Sequence, residues 1–105
     1  MYEYQAKVLR VVDGDTIDVE VDLGFHIKMV MKIRLAGINA PEMDTDSGKK
    51  TKAQLVTLLE NQTITLLTIK DKQEKYGRYL GVIVKDKQNI NEWLVEQKMA
   101  VRYNV

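Results

Sequence analysis

The chain has 105 residues, of which 45% are apolar and 30% are charged, and its formal net charge is +1. These values predict one folded domain, residues 1–105, and exclude an intrinsically disordered chain. The absence of cysteine excludes disulfides and thiolate metal sites. The low net charge argues against a protein that binds nucleic acid through a broad cationic surface.

Three β-strands are predicted in the first third of the chain. Residues 4–12 alternate in polarity, residues 13–15 (Asp-Gly-Asp) are typical of a tight turn, and residues 16–21 form a second strand. Residues 27–38 form a third, longer run. We expect its apolar residues to share one face, with the methionines filling the core; they are Ile27, Met29, Met31, Ile33 and Leu35.

The second part of the chain adds two strands and two helices. In order, the pattern predicts a loop at 43–50, a helix at 51–60, a strand at 63–69, a charged loop at 71–78, a strand at 79–84, and a short helix capped by Asn89 or Asn91 that ends near Gln97. Five strands with one helix after the third and one after the fifth predict a mainly β (α+β) fold. The expected architecture is a five-stranded Greek-key barrel of the OB-fold type.

Three segments at predicted loops or strand ends concentrate residues suited to phosphate chemistry. Hydrolysis of a phosphodiester needs a positioned nucleophile and stabilisation of the charge that grows on the phosphoryl oxygens. A hard cation held by oxygen ligands and the planar fork of arginine both serve this purpose. Taken singly, each segment is more often a turn or a solvated strand edge. The segments are Val12-Asp13-Gly14-Asp15-Thr16, Arg34-Leu35-Ala36-Gly37-Ile38-Asn39-Ala40-Pro41-Glu42 and Glu74-Lys75-Tyr76-Gly77-Arg78.

Taken together and in this order, the three segments resemble the staphylococcal nuclease (thermonuclease) family. That family shows a D-G-D-T turn, then R-L-x-x-I-D-x-P-E, then K-Y-G-R, and the resemblance covers nearly the whole chain. It implies a five-stranded barrel and a calcium-dependent phosphodiesterase, an endonuclease that hydrolyses DNA and RNA to products with 3′-phosphate ends.

The resemblance also implies a Ca²⁺ site. Carried over by position, the ligands are Asp15, Asn39 and the backbone carbonyl of Ala40. The chain departs from the family here, because Asn39 stands where the family has a second metal-binding Asp. An amide oxygen still suits calcium but carries no formal charge, so we expect weaker metal binding.

The remaining site residues are carried over in the same way. Glu42 would orient or deprotonate the attacking water, and Arg34 and Arg78 would hold the scissile phosphate. Lys75 and Tyr76 would contact a neighbouring phosphate or nucleotide. The joint presence of two arginines and the glutamate favours catalysis over simple binding.

Two other functions are compatible with the sequence. A catalytically weak or inactive nucleic-acid-binding module could use the same barrel, since OB-type surfaces bind nucleic acid without cutting it. A structural or protein-interaction domain is disfavoured by the concentration of phosphate chemistry. No apolar run is long enough for a bilayer and no signal peptide is evident, so we expect a cytoplasmic monomer without a membrane partner.

Overall fold

The computed structural model describes residues 2–73 and 78–103. Within these residues the chain forms eight strands, three of them only two residues long, and two helices. In chain order they are β1 (Tyr2–Asp13), β2 (Thr16–Asp22), β3 (Lys28–Leu35), β4 (Ile38–Asn39), α1 (Asp46–Leu59), β5 (Thr63–Gln73), β6 (Tyr79–Lys85), β7 (Gln88–Asn89), α2 (Ile90–Glu96) and β8 (Val101–Arg102).

The five longer strands form a closed barrel. Neighbouring strands follow the antiparallel order β3-β2-β1-β5-β6. The barrel closes where β6 lies parallel to β3, with Ile33 opposite Tyr79. Because the fourth long strand, β5, pairs with β1 after a three-strand meander, the order is that of a Greek key. The predicted mainly β fold and its five-stranded OB-type barrel are confirmed.

Branched aliphatic side chains fill the barrel, and α1 covers it with Leu55 and Leu59. In β1 the buried residues Val8 and Val11 are three positions apart, which strict alternation would not allow. The pairing of β1 with β2 shifts register between Val8 and Arg10. This irregularity reverses the inward and outward faces and so keeps β1 in contact with the core on both sides of the shift.

The third predicted strand is wrong at both of its ends. β3 begins at Lys28 and ends at Leu35, and a turn follows in which Gly37 has a φ of +77°. The inward face expected for this run is buried only from Ile33 onwards, since Ile27 is 57% exposed and Met29 is 48% exposed. Met29 is therefore not a core residue, because β6 pairs with β3 only from Ile33 to Leu35 and the earlier part of β3 has no strand of the described residues on that side.

The first helix begins five residues earlier than predicted. Thr45 is its N-cap, and the Thr45 Oγ1 accepts a hydrogen bond from the Gly48 N–H at 3.0 Å. Gly48 lies against the Glu42 backbone so closely that a Cβ would overlap with it. A residue that disfavours helices in isolation is thus required here by packing.

The N-cap of the second helix is Asn89, which is one of the two residues predicted for this position. The next residue but one, Asn91, is buried and links three elements. Its Nδ2 donates to the carbonyls of Ala36 and Gly81, at 2.9 and 3.1 Å, and its Oδ1 accepts from the Ile83 N–H. These bonds fix the turn between β3 and β4. In the described residues neither helix has the length and apolar character needed to cross a membrane.

Candidate active site

A cleft of about 530 Å³ opens at the end of the barrel where β1 turns into β2 and where β3 ends. Four parts of the chain meet there: the β1–β2 turn, the end of β3, the stretch from β4 to α1, and Arg78 directly before β6. Charged and polar side chains dominate its wall. The lining residues are Asp13, Asp15, Arg34, Asn39, Ala40, Pro41, Glu42, Met43 and Arg78.

The β1–β2 turn presents two acidic residues to this cleft. The Asp13 Oδ1 accepts a hydrogen bond from the Asp15 N–H at 3.0 Å, the usual way in which Asp stabilises a tight turn. Gly14 is required by close packing, since a Cβ there would lie 2.7 Å from the Ala40 Cβ and 2.9 Å from the Thr51 Cγ2. The turn is therefore wedged between the β4–α1 loop and α1, and this contact holds Asp15 in place.

Asp15 is 9% exposed, and its carboxylate accepts hydrogen bonds from two neighbouring groups. Its Oδ2 accepts from the Ala40 N–H at 2.9 Å and its Oδ1 accepts from the Thr16 hydroxyl at 3.3 Å. Burial raises the pKa of Asp15 above its ordinary value, and the neighbouring Asp13 carboxyl adds to the increase. The Ala40 N–H and the Arg34 guanidinium act in the opposite direction but do not offset the rise. The Asp15 carboxyl is therefore harder to ionise than an ordinary Asp, and the Arg34 guanidinium offsets only part of the cost of burying its charge.

Arg34 supplies that positive charge from the end of β3. Its Nη2 lies 3.4 Å from the Asp15 Oδ2 and donates to the Asn39 Oδ1 at 3.1 Å. Its Nη1 donates to the Leu35 carbonyl at 2.8 Å. The side chain is 12% exposed. These contacts fix the guanidinium between Asp15 and Asn39 at the wall of the cleft.

Glu42 also lines the cleft, and it lies in the chain between Pro41 and the start of α1. Its backbone carbonyl accepts from the Thr45 N–H at 3.0 Å and from the Thr45 hydroxyl at 2.6 Å. Its side chain is exposed, and it makes no hydrogen bond or ion pair with any described part of the chain. The backbone of Glu42 is thus anchored while its carboxylate is left available to solvent and to a ligand.

Arg78 directly precedes β6 and reaches the cleft beside β2. Its Nη1 donates to the Thr16 hydroxyl at 3.1 Å. Because the same hydroxyl donates to Asp15, Thr16 connects the second arginine to the acidic turn. Thr16 is a site residue that the sequence analysis did not identify. Two features could have indicated it. Thr16 directly follows the Asp-Gly-Asp turn, and it pairs with Arg34 across the β2–β3 hairpin.

Six of the eight predicted site residues meet at this cleft. They are Asp15, Arg34, Asn39, Ala40, Glu42 and Arg78. The other two, Lys75 and Tyr76, lie outside the described residues. The roles assigned to all eight stay predictions, while their proximity satisfies a condition that those roles require.

The cleft offers donors suited in type to a hard divalent cation. In the described residues no three or more His, Cys, Asp or Glu side chains are placed to share one metal ion. A cation at this wall would be held by the Asp15 carboxylate and by the neutral oxygens of Asn39 and Ala40. Carbonyl, amide and carboxylate oxygens are the ligands that Ca²⁺ prefers. The donor set therefore fits calcium in chemistry but is poor in negative charge.

Comparison with known proteins finds a family whose model matches most of the chain. The family model described as "Staphylococcal nuclease homologue" matches residues 32–105. That range starts on β3 and contains Arg34, Glu42 and Arg78, and the acidic turn at Asp15 lies before it.

Individual relatives match over almost the whole chain. An "Uncharacterized endonuclease" of Escherichia coli O157:H7 is 32% identical over 102 residues, which is 96% of this chain and 62% of the relative. A "Micrococcal nuclease" of Shigella flexneri is 32% identical over 110 residues, 96% of this chain and 59% of the relative. A "Thermonuclease" of Staphylococcus hyicus is 31% identical over 104 residues, 93% of this chain and 59% of the relative. The chain thus spans about 60% of the length of these curated relatives.

Proposed function

Since the chain belongs to the family of staphylococcal nuclease homologues, we propose that it is a metal-dependent nuclease that hydrolyses phosphodiester bonds in DNA and RNA. The observation that carries the proposal is the convergence of Arg34, Arg78 and Glu42 on one cleft. The nuclease names of the relatives at about 32% identity support it.

The two arginines account for the recognition of phosphate. Each presents a planar, permanently charged group that donates two parallel hydrogen bonds to phosphate oxygens. Arg34 is held by the Leu35 carbonyl and Arg78 by the Thr16 hydroxyl, so both are oriented before a ligand arrives. Donors fixed in advance stabilise the charge that develops on phosphorus-bound oxygens without a further cost of reorganisation.

Glu42 is the general base in this proposal. Its carboxylate accepts a proton from the attacking water as the water oxygen bonds to phosphorus. The bond from phosphorus to the 5′-oxygen then breaks, and that oxygen takes a proton from solvent water to leave as a hydroxyl. Glu42 afterwards releases the proton that it accepted to solvent. The product strand keeps a 3′-phosphate. The exposed side chain of Glu42, which lines the same cleft as Arg34, is compatible with this role.

The proposed cofactor is Ca²⁺, held by Asp15, Asn39 and the Ala40 carbonyl. When bound, the cation supplies positive charge next to the phosphoryl oxygens. The absence of cysteine from the chain, and of histidine from the cleft lining, favours calcium over zinc.

A second candidate function is a nucleic-acid-binding module with little or no catalysis. Asn39 favours it, because the proposed cation ligands then include one carboxylate, that of Asp15, and no group of three or more His, Cys, Asp or Glu side chains in the described residues is placed to hold a metal ion. In that case the arginines would still bind phosphate, and Glu42 would have no proton to accept.

One experiment separates these functions. Purified protein is incubated with end-labelled single-stranded DNA or RNA, in Ca²⁺ or in excess chelator. Fragments that form only with Ca²⁺, and that a polymerase extends only after phosphatase treatment, support the proposed nuclease and its 3′-phosphate products. Full cleavage in chelator contradicts the metal requirement. Retention of the strand without cleavage, in both conditions, favours the binding module.

A further inference from the structure

The edge of β3 that faces away from β2 is open over most of its length. β6 pairs with β3 only from Ile33 to Leu35, and no other strand of the described residues lies along the earlier part. The side chains of that part are exposed, since Met29 is 48% and Val30 is 61% exposed. An open strand edge with apolar side chains is a template for pairing with another strand. The fold therefore leaves room beside β3 for a strand of another molecule.

The hydrogen bonds of the hairpin show which backbone groups face this open edge. The Ile27 carbonyl accepts from the Leu23 N–H at 2.9 Å, and the Leu35 N–H donates to the Asp15 carbonyl at 2.8 Å. Both bonds lie on the β2 side of β3. Because residues of an antiparallel strand alternate between its two sides, the odd-numbered residues between Ile27 and Leu35 bond to β2. The even-numbered residues direct their N–H and C=O groups to the open edge. They are Lys28, Val30 and Lys32.

The sequence of this edge reads the same in both directions. Residues 27–33 are Ile-Lys-Met-Val-Met-Lys-Ile, with Val30 at the centre. If two copies pair in antiparallel fashion about Val30, each residue of the segment faces a residue of its own type in the other copy. Lys28 then faces Lys32, and Val30 faces its counterpart. These are the residues whose backbone groups point outward, so the register and the hydrogen-bond pattern agree.

We propose that two copies of this chain associate through β3, as an antiparallel pair with a two-fold axis at Val30. A two-fold interface brings the same surface of both copies together and must be self-complementary, which the symmetric segment satisfies. On the inner face Met29 of one copy meets Met31 of the other. The apolar area that Met29 and Val30 expose to water is thereby buried. This differs from the monomer expected from the sequence.

The two lysines of the segment oppose this pairing. Lys28 of one copy lies opposite Lys32 of the other, and like charges directly opposite each other are unfavourable. Each lysine has a carboxylate of β2 beside it, because the Lys32 Nζ lies 2.8 Å from the Asp18 Oδ1 and the Lys28 Nζ lies 3.8 Å from the Glu20 Oε1. These carboxylates offset part of the repulsion. The paired segment is also short, so we expect a weak dimer with a Kd on the order of 10 µM.

Sedimentation velocity of the whole protein, from about 1 to 300 µM, tests the proposal on either side of the expected Kd. Val30→Pro removes the N–H on the two-fold axis, which the hairpin itself does not use, so we expect the Kd of the dimer to rise by about 30-fold or more. Phe25→Ser is the matched control. It removes a side chain that is 96% exposed but lies outside the paired segment, and we expect the Kd to change by no more than about threefold.

A monomer at every concentration would overturn the proposal. A dimer that Val30→Pro leaves unchanged would also overturn it, because another surface would then hold the two copies together. An equal loss of association in Phe25→Ser would do the same, since general adhesion of apolar side chains would then explain the dimer. None of these measurements involves cleavage, so their outcome is independent of the nuclease assay.

Backbone hydrogen exchange of the unsubstituted protein covers the case in which Val30→Pro folds poorly. Raising the concentration from well below to well above the Kd should slow exchange at the N–H groups of Lys28, Val30 and Lys32 by about tenfold. The N–H groups of Met29 and Met31 already bond to β2, so their exchange should slow by about twofold or less. Exchange at Val30 that does not respond to concentration, or equal slowing at Met29 and Val30, would contradict the proposed pairing.

Discussion

The two ends of the β2–β3 hairpin differ in what their side chains contact. Where β2 begins and β3 ends, Thr16 pairs with Arg34, and both belong to a network that includes Asp15. At the other end the turn carries Phe25, which is 96% exposed, next to the exposed Ile27. The two ends are formed by the same pair of strands, in continuous register from Thr16 to Asp22.

This difference shows that strand pairing and burial are separate properties. Pairing continues along the whole hairpin, since the backbone bonds need no core beneath them. Along β3, full burial is limited to Ile33 and Leu35, where β6 pairs with this strand, whereas on β2 burial continues to Val21. Polar groups are therefore fixed precisely enough for chemistry only at the covered end, where packing prevents rearrangement.

The largest expected effect is a loss of cleavage rate from a substitution at the covered end that leaves its packing intact. Glu42→Gln keeps the shape of the side chain and removes its basicity, so cleavage should fall by roughly 10²–10⁴-fold. Because the Glu42 side chain is exposed, the unfolding temperature should stay the same. Initial rates on single-stranded DNA measure the effect. Asp44→Asn is the control, since it neutralises an exposed carboxylate two residues further along the same loop, and near-parental cleavage in Glu42→Gln would remove Glu42 from the mechanism.

The arginines should give the next largest effect. Arg34→Lys or Arg78→Lys keeps the charge and loses the planar fork, so either should lower turnover by about 10²–10³-fold. Lys32→Arg is a useful control, because Lys32 lies on the same outward face of β3 and pairs with Asp18 at 2.8 Å, away from the cleft lining. Parental rates in both lysine variants would show that the phosphate clamp is misassigned.

A third prediction compares the two ends through one residue type, isoleucine, once within β3 and once directly before it. Ile33→Ala removes a fully buried side chain, so it should lower the free energy of unfolding by about 2–5 kcal/mol. Ile27→Ala, at the exposed end, should change it by about 0.5 kcal/mol or less. Urea unfolding of both variants provides the comparison. Equal losses would mean that the tip is covered in solution.

The sequence predicted the barrel well because inward and outward alternation reports directly on burial. It could not show where coverage ends, so Met29 and Ile27 were placed on a core face that stops at Met31 and Ile33. It also placed the start of α1 too late. Gly48 disfavours a helix locally, and only the nearby Glu42 backbone explains its presence.

The site was predictable as a set of residues but not as a set of contacts. Spacing and resemblance indicated which side chains share a cleft, and the family resemblance itself is confirmed. The hydrogen bond from Arg34 to Asn39 depends on the turn at Gly37 and on side-chain conformation, neither of which leaves a pattern in the sequence. The same holds for Thr16, whose hydroxyl links Asp15 to Arg78.

The smallest expected effect is a change in Ca²⁺ affinity when one carboxylate is added, either at the cleft or at the tip of the β2–β3 hairpin. Asn39→Asp restores a carboxylate beside Asp15, and a carboxylate in contact with a divalent ion gains on the order of 3 kcal/mol even at the dielectric constant of water. Desolvation, repulsion from Asp15 and a tighter bond to Arg34 offset part of this gain. We expect Ca²⁺ to bind about 5–30-fold tighter, or roughly 1–2 kcal/mol, by calorimetric titration.

His26→Asp is the matched control for that last change, because it adds one carboxylate at the exposed tip instead. The seven residues of β2 separate the tip from the cleft by roughly 20 Å, which is about two Debye lengths at 0.1 M salt. The added charge should therefore leave Ca²⁺ affinity unchanged, and the positive φ of 62° at residue 26 is one that Asp tolerates. If His26→Asp tightens binding as much as Asn39→Asp does, the effect is one of net charge. Residue 39 is then not a ligand, and the binding-module function gains support.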